Sequence, residues 1–406
     1  MDRLNTENAM HTSNSSKAPA ASAWLSPETA DLPGFARSIA RCTALADWPL
    51  AVSVEKNIVV YAGDSVRKAA LDPKTSRAMM AEWAGALSHG PGVIVIRAAL
   101  SQASVIDRAT EIFEAVIAGQ KHSNSGGGDH FAKPGANERI WNSLQKHCMA
   151  DPANFAAYYA APAIAMVSMA WLGPDYQMSA QVNRVNPGGA AQSGHRDYHL
   201  GFMTPAQAQA FPEPVHRLSP LLTLQGAIAH CDMPLESGPT LLLPYSQNFL
   251  HGYLVFGEPQ YQEFFAGHHV QLPLEKGDAM FFNPALMHAA GNNRSAGIFR
   301  MANLLQVSSA FGRAMESIDR IAMAKSLYPA LLAAGLNASL DCAGIANAIA
   351  ACAEGYAFPT NLDHNPPLGG LAPMSQAALM AQAIADKMPP EAFARALDTM
   401  AQKRLA

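Results

Sequence analysis

From about residue 177 to 310 the chain is a succession of short apolar runs with no helical period between them, and this constrains the fold more than any other feature. Met178, Ala180 and Val182 alternate with polar residues in MSAQVNRVNPGG. Further strand candidates run over Leu221 to His230, Thr240 to Leu243, Val270 to Leu274, Ala279 to Phe282 and Arg300 to Ser308, separated by Gly, Pro, Asn and Asp clusters. Parallel strands need long crossovers, usually helical, and none is present here. The pattern therefore predicts an antiparallel sandwich or barrel and not a doubly wound sheet.

Helices are expected on both sides of this tract. The run VIVI after Gly92 leads through Ser101 into a stretch where Val105, Ala109, Ile112, Phe113, Val116 and Ile117 recur at helical spacing. A second helical stretch covers about 152 to 172 and ends at Gly173-Pro174. Between them, Lys121 to Arg139 (KHSNSGGGDHFAKPGANER) loses all periodicity and is read as a long loop of the kind that often carries function. After Phe311 the chain is Ala- and Met-rich and helical, interrupted by YAFPTNLDHNPPLGGLAP at 356–373, which is expected to form a rigid coil over the mouth of the barrel.

Composition excludes several classes of function. Hydrophobic residues make up 49% and charged residues 15% of the 406, against about 25% charged in ordinary domains, so the chain forms a core and is not disordered. A net charge of −4 without runs of like charge argues against a nucleic-acid or anionic-membrane surface. The five cysteines are scattered without C-x-x-C spacing, and reduced, buried thiols in a cytoplasmic protein are expected. Residues 1–25 are rich in Ser, Asn and Ala, read as a disordered arm, and lack the apolar segment of an export signal. The most apolar stretch, near Ala160 to Leu172, is broken by Pro162 and Ser168, so no membrane span is expected. No nucleophile elbow, phosphate-binding P-loop or complete dinucleotide fingerprint is present.

The most informative tract is AQSGHRDYHLGF. On an extended strand residues i and i+2 share a face, so His195 and Asp197 can direct an imidazole and a carboxylate at one point, as two ligands of a metal would. Alone this spacing is weak, and a salt-bridged surface turn is the commoner outcome. A facial triad of two His and one carboxylate needs a distal His on a later strand. His288 follows a strand and a turn and precedes another strand; His230, His251, His268 and His269 are its competitors. Only His288 has an arginine-bearing strand immediately behind it. A dicarboxylate cosubstrate needs a fixed cation at its far end, and guanidinium meets carboxylate in two parallel hydrogen bonds. Arg300 opens an alternating strand and is the first choice; Arg294, in the turn GNNRS, is the second.

The run from about 90 to 310 resembles the phytanoyl-CoA dioxygenase family of Fe(II)/2-oxoglutarate-dependent oxygenases. The resemblance rests on GVIVIRAALSQASVIDRATEIF, on Gln192, His195 and Asp197 as Q-x-x-H-x-D, on CDMPLESGPTLLLPYSQ, and on His288 followed by Arg300. The third segment departs from the family at its last turn, where Pro244-Tyr245-Ser246-Gln247 stands for a Pro-Gly-Ser-His turn. The resemblance implies a mainly β core with α additions: a double-stranded β-helix, or jelly roll, flanked by helices. It implies His195, Asp197 and His288 as iron ligands, Arg300 as anchor of the distal 2-oxoglutarate carboxylate, and Gln192 and Thr240 as supporting cosubstrate contacts. It further implies consumption of O2, release of succinate and CO2, and oxidation of a C–H bond in a small organic substrate. Related halogenases carry a small residue in place of the carboxylate, so Asp197 favours hydroxylation over halogenation.

Tyr198, Asn283 and Asn303 are candidates to fix the imidazole tautomers. Lys133, Trp141, Asn183, Arg184, His199 and Phe202 are candidates to meet substrate. Two other readings stand beside the oxygenase, namely a non-catalytic jelly-roll binding protein and a cupin-like metalloenzyme without 2-oxoglutarate. Intact ligands and Arg300 weigh against both. The chain is then divided into a disordered arm (1–25), a lead-in (26–89), the dioxygenase domain (90–310) and a helical C-terminal extension (311–406) packed on the core. A homo-oligomer formed through that extension is compatible with its composition.

Overall fold

The computed structural model describes residues 23–122, 135–198 and 203–406. Among these residues ten strands follow one another: β1 (Ser53–Glu55), β2 (Ile58–Ala62), β3 (Val93–Arg97), β4 (Asn137–Ile140), β5 (Gln177–Val185), β6 (Thr223–Ala229), β7 (Leu241–Leu242), β8 (Ala279–Phe282), β9 (His288–Ala289) and β10 (Arg300–Ser308). Eight of them form a central sheet in the order β1-β2-β3-β8-β6-β10-β5-β4. Only its β2–β3 pair is parallel, as the intervening helical crossover requires. The longest ladder runs from Arg300 opposite Val185 to Ser308 opposite Gln177.

Alternation along these strands builds two different cores. Val59, Ile94, Val182, Ile228, Phe281, Met301 and Leu305 face a layer of helices and share one cluster with them. Their neighbours Ile58, Val60, Val93, Val95, Met280 and Phe282 face the other way, onto Met233, Leu242, Leu272, Leu274 and Leu286. At Gly226 a β-carbon would stand 2.5 Å from the Phe281 ring on the paired strand, so the large side chain occupies space that only glycine leaves.

That second face is covered by a much shorter sheet, β7 against β9, continued by isolated bridges at His195–His288, Leu242–Val270 and Met233–Leu274. The expected jelly roll is present, with one sheet broad and the other reduced to fragments. The strand expected over Val270 to Leu274 consists of its two end bridges alone. Pro273 lies between them and has no backbone N–H to give to a continuous ladder.

The helix face explains the tail of the chain. Helices Arg320–Leu336, Cys342–Cys352, Gln376–Ala385 and Pro390–Arg404 place Met323, Leu327, Tyr328, Ile349, Met380, Phe393 and Leu397 in the same cluster as the sheet. Arg320 is buried and donates to Met178 O at 2.8 Å and Cys352 O at 3.1 Å, tying the extension to β5. The side chains of Asp319, Asp341 and Ser375 cap the first three of these helices.

Several expectations are revised. The sheet extends upstream of residue 90 through β1 and β2, a pairing of distant segments that no local period signals. The expected loop from Lys121 to Arg139 gives up both ends: the helix Ala103–His122 includes Lys121, and Arg139 lies on β4. The stretch 152–172 is two helices, Pro152–Tyr159 and Pro162–Leu172, bent by 61° at the break between them. Among the described residues no single helix is long and apolar enough to cross a membrane. Cys42 and Cys342 are exposed; only Cys148 and Cys352 are buried, and all five thiols are free. The segment 356–373 does not line the cavity described next. It packs against the end of the chain, with Arg404 donating to Ala357 O and Asn361 to Leu405 O.

Candidate metal centre

His195 and His288 meet across the minor sheet. Each backbone N–H donates to the other's carbonyl at 2.9 Å. The His195 strand is held from both flanks. Gln262 accepts from Gly194 N at 3.0 Å and donates to Gly194 O at 2.6 Å. Arg196 turns away from the centre, donating to Phe249 O at 2.9 Å and to Ser246 O. Burial pushes the Arg196 guanidinium down to about 10, still charged at neutral pH. A β-carbon on Gly252 would overlap that guanidinium, so the close approach requires glycine.

Asp197 completes the group. Its backbone N–H donates to Pro284 O at 3.0 Å, and Tyr253 Oη donates to its carbonyl at 2.9 Å. One ligand atom from each of His195, Asp197 and His288 falls within 4.8 Å of the others, and His288 Nε2 stands 3.8 Å from Asp197 Oδ2. Both imidazoles make the same local contact: His195 Nδ1 with Ser193 O at 2.9 Å, and His288 Nδ1 with Leu286 O at 2.8 Å. A carbonyl only accepts, so each Nδ1 carries the proton and each Nε2 lone pair is left for a metal. Burial, then the neighbouring His195, push the His288 imidazole down to about 4, which keeps it neutral and able to ligate.

The tautomers are thus set by carbonyls two residues upstream, and the side chains expected to do so lie elsewhere. Asn283 binds Leu87 O and Ala285 N. Asn303 faces the helix layer and donates to Tyr158 and Tyr159. Tyr198 does line the cavity. A residue that sequence reasoning missed is Gln225 on β6, whose Nε2 donates to Asp197 Oδ2. Its only signal is a polar residue inside the otherwise apolar run TLQGAIA.

The triad opens into a cavity of about 580 Å³, of the size usual for small-molecule sites. Gln192, Thr240 and Arg300 line it with the triad. Arg300 is buried, makes no hydrogen bond through its side chain among the described residues, and leaves Nη1 fully enclosed and unpartnered. Burial lowers it to about 10, so it remains a guanidinium. An enclosed cation without a counter-ion is costly, and a carboxylate entering the cavity would remove that cost. Arg294 is exposed and does not line the cavity. Gln192 uses its Oε1 to accept from Ala290 N at 3.2 Å, which closes the strand beside His195.

Of the substrate candidates, Asn183 lines the cavity; Arg184, one residue on, points to the other side of β5 and pairs with buried Glu138. Trp141 lies beneath Arg139 and is not part of the wall. Lys133, His199 and Phe202 lie outside the described residues. His230, a competitor for the distal position, is a buried core histidine between Thr110 and Tyr158.

A family model described as phytanoyl-CoA dioxygenase matches residues 60–302. No curated protein matches the chain significantly. Among solved structures, the chain is similar to the non-heme alpha ketoglutarate dependent epimerase SnoN from nogalamycin biosynthesis, with 16% identity over 60% of this chain and 88% of that one and a TM-score of 0.42. It is also similar to the non-heme alpha ketoglutarate dependent carbocyclase SnoK, with 17% identity over 62% and 87% of the two chains and a TM-score of 0.38.

Proposed function

Because the chain belongs to the phytanoyl-CoA dioxygenase family, whose members use Fe(II) and 2-oxoglutarate, we propose that it is a dioxygenase that hydroxylates or otherwise oxidises a C–H bond of a small organic substrate. The observation that carries this reading is that the His195–Asp197–His288 group and the unpartnered Arg300 nitrogen line one cavity.

His195 Nε2, His288 Nε2 and an Asp197 carboxylate oxygen would hold Fe(II) on one face, and two imidazoles with one carboxylate are the donor set that suits this ion. When bound, iron and 2-oxoglutarate supply the oxidising chemistry, in which O2 is reduced as the cosubstrate loses CO2 to become succinate. Arg300 would take the distal carboxylate of 2-oxoglutarate in a charge-assisted pair, and Thr240 lines the same cavity as a supporting contact. The protein's own part is to keep both Nδ1 atoms protonated, hold Asp197 through Gln225, and shield the cavity with the apolar walls of Phe282, Met233 and Leu274.

The test is succinate formation from 2-oxoglutarate by the purified protein with Fe(II) and ascorbate, without added substrate. Slow turnover that His195→Ala and Asp197→Ala abolish is expected. Turnover at the wild-type rate in both variants would sink the metal site.

A further inference from the structure

The strand order divides the cavity floor into regions. Asp197 and His288 stand over β6 and β8, where they touch Gln225 and Phe282. Arg300 projects from β10. Beyond β10 the floor is built from the cavity-facing side chains of β5 and β4, Gln181, Asn183 and Arg139, none of which belongs to the triad or is the arginine assigned to the cosubstrate. In a strand core these positions would ordinarily be apolar, as Ala302 and Leu304 are on the adjoining strand.

Two amide oxygens on this floor are enclosed and unpartnered, Gln225 Oε1 on β6 and Asn183 Oδ1 on β5. Both residues are more than nine-tenths buried, at 4% and 7% exposure. The orientation of Gln225 is fixed, since Asp197 takes only a donor and so receives Nε2, which leaves Oε1 as the acceptor. Gln181 Oε1, in contrast, is already used by Arg139 Nη1 at 2.9 Å. A buried acceptor without a donor costs about 1–3 kcal/mol, a cost that a bound donor removes.

We propose that the substrate is rich in hydrogen-bond donors, an alcohol or amine with at least two such groups, read by Gln225 Oε1 beside the iron ligands and by Asn183 Oδ1 beyond β10. Gln225 then has two contacts at once, its nitrogen on Asp197 and its oxygen on substrate, so that the group read by Gln225 lies next to the carbon presented for oxidation. An aliphatic chain would leave both oxygens unpaired, which is the strongest form of rejection a polar site can make. The inference rests on the oxygenase reading and specifies its substrate class.

The test uses purified enzyme with Fe(II), ascorbate and 2-oxoglutarate, and reads succinate formation relative to the rate without substrate. The panel is sugars, amino sugars, amino acids and amino alcohols, each set against the same skeleton with hydroxyls methylated and amines converted to tertiary N-methylacetamides, which have no N–H left to donate, together with fatty acids and acyl thioesters. Stimulation by donor-bearing members and by none of the capped or aliphatic ones is expected. Stimulation by a capped or aliphatic member, or by no donor-bearing member, overturns the proposal. For the best member, Asn183→Leu should raise the half-saturating concentration about 10-fold. Asn183→Asp keeps the acceptor and should stay within about threefold. Equal effects of the two variants would assign Asn183 a packing role and overturn its part. An enzyme that makes no succinate under any condition fails the oxygenase reading itself, whereas turnover without preference for donors fails only the substrate class.

Discussion

His195 and His288 are directly opposed residues of one antiparallel bridge, exchanging both backbone hydrogen bonds at 2.9 Å with their rings 4.5 Å apart. A main-chain contact therefore sets the separation of two imidazoles, and a side-chain contact to the residue two positions upstream sets the direction of each. The bridge survives when a ring is removed. His195→Ala and His288→Ala should each lose Fe(II) affinity by at least about 100-fold while stability falls by only about 1–2 kcal/mol. Equilibrium Fe(II) titration and thermal unfolding of the apoproteins check this. Wild-type iron affinity in either variant would remove that residue from the centre.

Gln225 holds the third ligand through a neutral amide. Gln225→Leu frees the carboxylate to rotate and should weaken Fe(II) binding by roughly 10-fold or more, the usual effect of losing a partner behind a metal ligand. Gln225→Glu should be worse, because two carboxylates would face each other in a partly enclosed site. The ordering of the two variants in an Fe(II) titration is the readout. A Glu variant that binds iron as the wild type does would show that Gln225 does not touch Asp197 in solution.

Much of this arrangement is legible in the sequence because it is local. His195 and Asp197 share a face by strand period, and Arg300 opens an alternating strand, so both follow from a spacing of two. The triad's third member is reached through its neighbours, since His288 alone has an arginine-bearing strand behind it. What escapes is long-range or carried by backbone. Gln225 lies 28 residues from Asp197, a single polar residue in an otherwise apolar run that says nothing of its partner. The carbonyls of Ser193 and Leu286 have no side-chain signature at all. β1 and β2 join the sheet through the parallel β2–β3 pair, for which a sequence shows only two short apolar runs. The coil at 356–373 is legible as irregular, but glycine and proline content says nothing about what such a coil packs against.

The choice between two arginines is now a measurement. Arg300 is enclosed with a free nitrogen, whereas Arg294 is exposed and is tied to the fold through its backbone donation to Glu236 O at 2.7 Å. Arg300→Gln should raise KM for 2-oxoglutarate by about 100-fold, and Arg300→Lys by less, because an ammonium keeps the charge and loses the fork. Arg294→Gln should leave KM within about twofold. The reverse pattern would transfer the anchor to Arg294.

Two histidines outside the centre contribute to the response to acid. His147 and His230 are enclosed in the helix layer, and burial pushes them down to about 4 and about 3 respectively. His230 is surrounded by Thr110, Tyr158 and the ring of Phe113, and His147 by Asn154, Phe155 and Tyr158. In the unfolded chain each has the ordinary histidine value near 6.5. Between that value and the folded ones, the unfolded state binds more protons, so stability falls as pH falls. Their contribution is complete above about pH 6.5 and is progressively lost down to about pH 4 for His147 and about pH 3 for His230, at about 1.4 kcal/mol per pH unit for each histidine. Urea unfolding of the apoprotein at pH 7, 6 and 5 should give at least this slope, to which the buried His288 of the centre adds in the same direction. His147→Gln should lower stability at pH 7, since Nε2 is hydrogen-bonded to Asn154, yet make the slope below pH 6 shallower by the share of one histidine. An unchanged slope in that variant would mean that His147 is protonated in the folded protein, contrary to its place in the core.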